Sequence, residues 1–148
     1  ITIGQFKLEN INTLLVNEKN IKILAMKKVQ NYFILDILSE VRFIYNNQDE
    51  IEEIGTSLYI ENINVNDLNL ELYSSHNIFI LENNDLEDRK NAFDSMIYLK
   101  YKEENLINDN MKNICITRLI YLLEENLDKV DSLKIEFEID GAMKVFEM

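Results

Sequence analysis

Two serines and a histidine in succession, Ser74, Ser75 and His76, together with Cys115, make up the conventional nucleophile-and-base inventory of this chain, which has no other histidine or cysteine. Nucleophilic catalysis requires a base held within hydrogen-bond reach of the nucleophile, and adjacency in sequence does not supply that geometry. No Gly-x-Ser-x-Gly elbow occurs, so His76 reads as a loop histidine between two strands. A small hydrolase using carboxylates and His76 is the enzymatic alternative. Cys115 falls among Met111, Leu119 and Leu122 at helical spacing, where apolar surroundings would raise its pKa and leave an inert core thiol.

Other chemistries are narrowed by what the residues cannot assemble. One cysteine and one histidine do not make a structural zinc set. Asp49–Glu53 and Asn83–Asp88 bring several oxygens together, but neither contains the Asp-x-Asp/Asn-x-Asp/Asn-Gly calcium loop with its sharp-turn glycine. The three glycines, Gly4, Gly55 and Gly141, cannot form a Walker loop or a dinucleotide fingerprint. The reading therefore assigns no catalytic residue, no metal and no cofactor.

Charge carries more information. Residues 1–46 hold four acids against six bases, whereas residues 47–148 hold 23 acids against nine bases, giving the whole chain a net charge of −12. Such a field repels nucleic-acid phosphate and anionic lipid and attracts basic surfaces. Lys19, Lys22, Lys27 and Lys28 form a small basic patch, read as the polar side of a buried helix rather than a phosphate-binding face. No apolar run reaches the roughly 18 residues of a membrane helix, and the richest stretch, Tyr32–Leu38, contains Asp36.

A chain of 148 residues with 47% hydrophobic residues, seven Phe and seven Tyr buries enough surface to fold as a single compact domain over 1–148. The lone cysteine and the absence of an Asn-x-Ser/Thr sequon favour a cytoplasmic protein. The chain opens at Ile1, so a leader ahead of it stays open. Twenty Asn, 21 Ile and 12 Lys against three Arg follow the usage of an A/T-rich genome rather than a chemistry.

The elements that must position these residues follow from periodicity. Met111, Cys115, Leu119, Leu122, Leu123, Leu127 and Val130 predict an amphipathic helix over 109–130, capped by Asn108 or Asp109. Residues 21–45 are apolar on every side, and a largely buried helix is expected at about 18–40, with Val41, Phe43 and Tyr45 alternating as a strand after it. Strands are also expected at Ser57–Glu61, Asp67–Tyr73, Asn77–Leu81 and Met96–Lys102, with a weaker edge strand at Ile1–Leu8. The Asp140-Gly141 turn predicts a terminal hairpin pairing Ile139 with Ala142, Phe137 with Lys144, Ile135 with Phe146, Leu133 with Met148 and Lys134 with Glu147.

The sequence thus predicts an α+β protein: an antiparallel sheet, a meander plus a C-terminal hairpin, packed with two main helices at about 18–40 and 109–130. The expected function is a small acidic protein-binding protein, an immunity, antitoxin or anti-defence type of inhibitor that covers a basic site on a toxin or effector. Its expected contact residues are Asp49, Glu50, Glu52 and Glu53 in one acidic stretch, with Tyr121, Glu124, Glu125 and Asp128 on the outer face of the last helix. An acidic secretion or assembly chaperone, with homodimerisation possible, is the alternative within the binding class.

Overall fold

The apolar stretch that begins at Ile21 is two long antiparallel strands joined by a two-residue turn, not a helix. A computed structural model describes residues 13–16, 19–58, 60–65, 68–82, 92–122, 134–139 and 142–147. In chain order the elements are β1 (Thr13–Val16), β2 (Lys19–Val29), β3 (Tyr32–Tyr45), β4 (Ile51–Thr56), β5 (Ile60–Val65) and β6 (Leu68–Asn69). They continue with β7 (Glu71–Ile80), α1 (Ala92–Glu103), β8 (Ile114–Leu122), β9 (Lys134–Ile139) and β10 (Ala142–Glu147).

Six strands form one antiparallel sheet in the order β1-β2-β3-β8-β7, with β4 pairing to the far half of β3 beyond the reach of β2. The other four form a sheet in the order β10-β9-β5-β6. The protein is therefore mostly antiparallel sheet with a single short helix among the described residues, and the expected packing of two main helices is overturned. That helix is too short to cross a membrane, and no described helix is long and apolar enough to do so.

The physical reason for the first missed helix is that β3 is central and covered on both sides. Phe33, Leu35 and Ile37 are buried on one face while Asp36 and Leu38 are buried on the other, and a strand buried on both faces loses the polar alternation that identifies it. The turn at Gln30 and Asn31, with Val29 opposite Tyr32, carries no glycine. Gln30 itself adopts φ 54, the positive value that the first central position of a type II′ turn demands.

The second expected helix, 109–130, is overturned for the same reason. β8 lies between β3 and β7, so Cys115, Thr117, Leu119 and Tyr121 are buried on one face and Ile116 on the other. Three isoleucines and a threonine in this stretch fit a pleated strand better than a helix. Residues 123–130 of the expected helix lie outside the described residues.

The converse error occurs at Met96–Lys102, expected as a strand and found within α1. Its buried positions, Asp94, Ile97 and Tyr101, recur at three- and four-residue steps, while Met96 and Leu99 are exposed. Asp94 in the first turn and Lys100 and Lys102 in the last complement the helix dipole. α1 packs Ile97 and Tyr101 onto Leu24, Ala25, Leu38, Ile78 and Ile116 of the sheet.

The C-terminal hairpin has the expected register: Ala142 opposite Ile139, Lys144 opposite Phe137, Phe146 opposite Ile135 and Glu147 opposite Lys134. Met143 and Val145, on the alternate positions, are exposed. Its Asp140-Gly141 turn, the Leu133–Met148 pair and the expected strand at Ile1–Leu8 lie outside the described residues. The strand expected at Asn77–Leu81 is the end of β7, and Asp67–Tyr73 divides between β6 and the start of β7. Of the strand expected at Ser57–Glu61, Ser57 and Leu58 precede β5, which starts at Ile60.

Candidate functional site

A row of charged and polar side chains crosses the sheet beneath α1. The register places Ala25, Asp36, Arg118 and His76 opposite one another on β2, β3, β8 and β7. Asp36 is fully buried. Arg118 donates to it twice, from Nε to Oδ1 at 2.9 Å and from Nη2 to Oδ2 at 2.8 Å, the two-pronged geometry that suits a planar guanidinium and a carboxylate. From α1 the Tyr101 hydroxyl donates to Asp36 Oδ2, and the Phe93 ring lies 5.8 Å from the guanidinium carbon.

Each group in the row perturbs its neighbours. Burial and then the Asp36 charge push the Tyr101 hydroxyl well above its ordinary pKa, so it stays protonated and serves only as a donor. Hydrogen bonding to Asp36 raises Arg118 further. Lys27, half-buried on β2, is lowered, by desolvation first and then by the Arg118 and Lys100 charges. With both Asp36 oxygens and two guanidinium nitrogens engaged, this cluster is suited to joining α1, β3 and β8 rather than to moving protons.

His76 stands at the end of the row. Its Nε2 lies 2.6 Å from Asp94 Oδ1, with the His76 side chain 44% exposed and that of Asp94 8%. A carboxylate that orients an accessible imidazole is the beginning of an acid–base site. The nucleophile is lacking among the described residues: no hydrogen bond joins His76 to a serine or to Cys115. Ser75 alternates to the other face of β7, opposite Leu119, and Cys115 is buried there with its thiol pKa raised by desolvation. The expected loop histidine is thus a strand residue tied to the helix. Among the described residues no group of three or more His, Cys, Asp or Glu side chains converges to hold a metal.

The two expected contact surfaces fare differently. Asp49, Glu50, Glu52 and Glu53 are all exposed and occupy the β3–β4 hairpin. Asn46 shapes its turn, its Oδ1 accepting from the backbone N–H of Gln48 at 2.8 Å and of Glu50 at 3.0 Å, while Asp49 takes φ 59. On the same hairpin Tyr45 is 56% exposed and Ile51 39%, so exposed acids and exposed aromatic and aliphatic side chains lie together. Sequence reasoning did not single out Tyr45 as an exposed aromatic residue, although its place at the end of an alternating run beside the Asn46–Asn47 turn was the available signal.

Tyr121, by contrast, is 5% exposed in β8. It is not a surface anchor, because the face assigned to the outside of a helix is the inside of a sheet. Glu124, Glu125 and Asp128 lie outside the described residues. No protein-family model, no curated protein and no solved structure matches this chain.

Proposed function

We propose that this chain is a small acidic protein-binding protein that covers a basic site on a partner protein, in the manner of an immunity, antitoxin or anti-defence inhibitor, and that the β3–β4 hairpin is its contact arm. The observation that carries the reading is the composition of that arm: four exposed acids, Asp49, Glu50, Glu52 and Glu53, around exposed Tyr45 and Ile51. Charge of one sign steers a partner of the other and excludes like-charged competitors, while an aromatic side chain supplies the desolvated contact that slows release. β4 pairs with β3, and Glu52, Glu53 and Tyr45 are exposed.

The test compares affinity capture from the source cell by the wild-type protein and by a variant carrying Glu50→Lys, Glu52→Lys and Glu53→Lys. A basic protein should be recovered by the first and lost with the second, and its association rate with the wild type should fall steeply from low to moderate salt. Recovery of the same proteins at the same level by both would sink the reading.

A second reading, a hydrolase working through His76, draws support from the 2.6 Å contact to Asp94. Its minimal test is a screen of ester, phosphoester and glycoside substrates with wild type and His76→Ala. Activity that survives in the variant would remove His76 from the chemistry.

A further inference from the structure

We propose that the outer edge of β7 is a pairing surface for a second copy of this chain, the two β7 strands adding antiparallel to each other and joining two main sheets into one. β7 ends its sheet, and among the described residues no strand pairs with its outer side. All six residues from Glu71 to His76 are exposed, Tyr73 at 64% and Leu72 at 50%. Because successive residues of a strand face opposite sides, six exposed in a row leave both faces of this half of β7 open.

The other terminal strands carry devices that keep an edge from pairing. β1 has four residues and β6 two, while β4 bears Glu52 and Glu53 and β10 bears Lys144 and Glu147. β7 runs for ten residues with Glu71 as its only Asp, Glu, Lys or Arg, and it holds no proline. A long edge with so little charge is a template for another strand.

The order of its side chains selects this chain as the occupant. With a twofold axis between Tyr73 and Ser74, Glu71 stands opposite the partner's His76, Leu72 opposite the partner's Ser75, and Tyr73 opposite the partner's Ser74, each pair occurring twice. Every pair sets an acid against an imidazole or a large side chain against a small one, the combinations that stabilise cross-strand neighbours. The faces match as well. Glu71, Ser74 and His76 lie opposite Leu122, Ile120 and Arg118, alternate residues of β8, whereas Leu72 and Ser75 lie opposite Tyr121 and Leu119. Glu71 and His76 therefore share one face and Leu72 and Ser75 the other, as directly opposed residues of an antiparallel pair must. Tyr73, the extra residue at the bulge between Leu72 and Ser74, is held with its ring centroid 5.4 Å from that of Tyr32, whose place opposite Leu122 puts it on the face of Glu71 and Ser74. The contact is isologous, so it closes at two copies, and it uses none of the acids of the β3–β4 hairpin.

Sedimentation of the whole chain from micromolar to near-millimolar concentration should show a monomer–dimer equilibrium. Amide hydrogen exchange within 71–76 should slow as the dimer forms, while exchange in β10, another edge strand, keeps its monomer rate. Ser74→Lys, at an exposed position beside the axis, brings two ammonium groups together and should abolish the dimer while circular dichroism and the unfolding midpoint stay at wild-type values. Glu71→Lys, which removes both acid–imidazole pairs, should raise the dissociation constant about tenfold, and it decides the matter if Ser74→Lys does not fold. A chain that stays monomeric throughout, assembly beyond two copies, a dimer that forms without slower exchange in 71–76, or one that the folded variants leave unchanged overturns the proposal.

Discussion

Arg118 and Asp36 face each other across β8 and β3, and two hydrogen bonds of 2.9 and 2.8 Å fix the guanidinium to the carboxylate. The Asp36 side chain is 0% exposed and that of Arg118 13%, so each charge depends on the other for its solvation. Pairs of this kind add little net stability over an apolar substitute, but removal of one partner strands the other. Asp36→Ala should cost about 3–5 kcal/mol in urea unfolding, whereas Asp36→Leu combined with Arg118→Met should recover most of that loss. A single-variant cost below about 1 kcal/mol would show that water reaches the pair.

The two buried tyrosines make stability fall on the alkaline side. Burial raises both above the ordinary value of 10.0, Tyr121 to about 12 and Tyr101 further with the help of the Asp36 charge. Below about pH 10 folded and unfolded chains both keep the proton, and the full stability is present. Above it the unfolded chain ionises first, and stability is lost as pH rises through the folded values. Urea midpoints should therefore decline from about pH 10 upward, and Tyr121→Phe should make the decline shallower. A profile that is level to about pH 12 contradicts the burial of both hydroxyls.

The turn between β2 and β3 stores backbone strain that glycine would relieve. Gln30 sits at φ 54, a region that costs an ordinary L-residue roughly 1–2 kcal/mol and glycine almost nothing. Since glycine also has more entropy to lose on folding, the net gain of Gln30→Gly should be up to about 1 kcal/mol. Gln30→Val should lose about 1 kcal/mol or more. Thermal midpoints of the three proteins, in the order Gly above Gln above Val, check the assignment.

The contact between His76 and Asp94 ties the start of α1 to the edge of the main sheet. A double-mutant cycle with His76→Ala and Asp94→Asn should give a coupling of about 1 kcal/mol. Amide hydrogen exchange in 92–103 should accelerate in both single variants relative to that in β3. Zero coupling would mean that the helix is held by Ile97 and Tyr101 alone.

What the sequence revealed and concealed follows from where polar residues could be left in view. At Lys134–Glu147 the alternation of charged and apolar side chains, with a glycine in the turn, specified the register, because an Asp-Gly turn permits few alternatives. In β3 and β8 both faces are buried, so the largely apolar stretches Phe33–Leu38 and Ile114–Ile120, with Asp36, Thr117 and Arg118 among them, show no polar face and could be wound as a helix with equal consistency. The β2–β3 turn was hidden because Gln30 performs a glycine's role. α1 was misread because Tyr98 and Lys100 happen to alternate with Ile97, Leu99 and Tyr101. Of the candidate sites, the acids at 49–53 were legible from charge alone. The row of Asp36, Arg118 and His76 was not, since three residues scattered over 82 positions meet only through strand register.

β3 runs without interruption from the turn at Gln30 to the exposed arm, carrying Asp36 in its buried half and Tyr45 at its tip. At about 3.4 Å per residue these two stand roughly 30 Å apart on one rod. A slip of β3 by one residue would part Asp36 from Arg118 and turn the arm's side chains over to the opposite side. The ion pair thus acts as a registration pin: a contact deep beneath the helix dictates which way a distant, solvent-washed hairpin faces, and the arm can be re-aimed only by unseating the core.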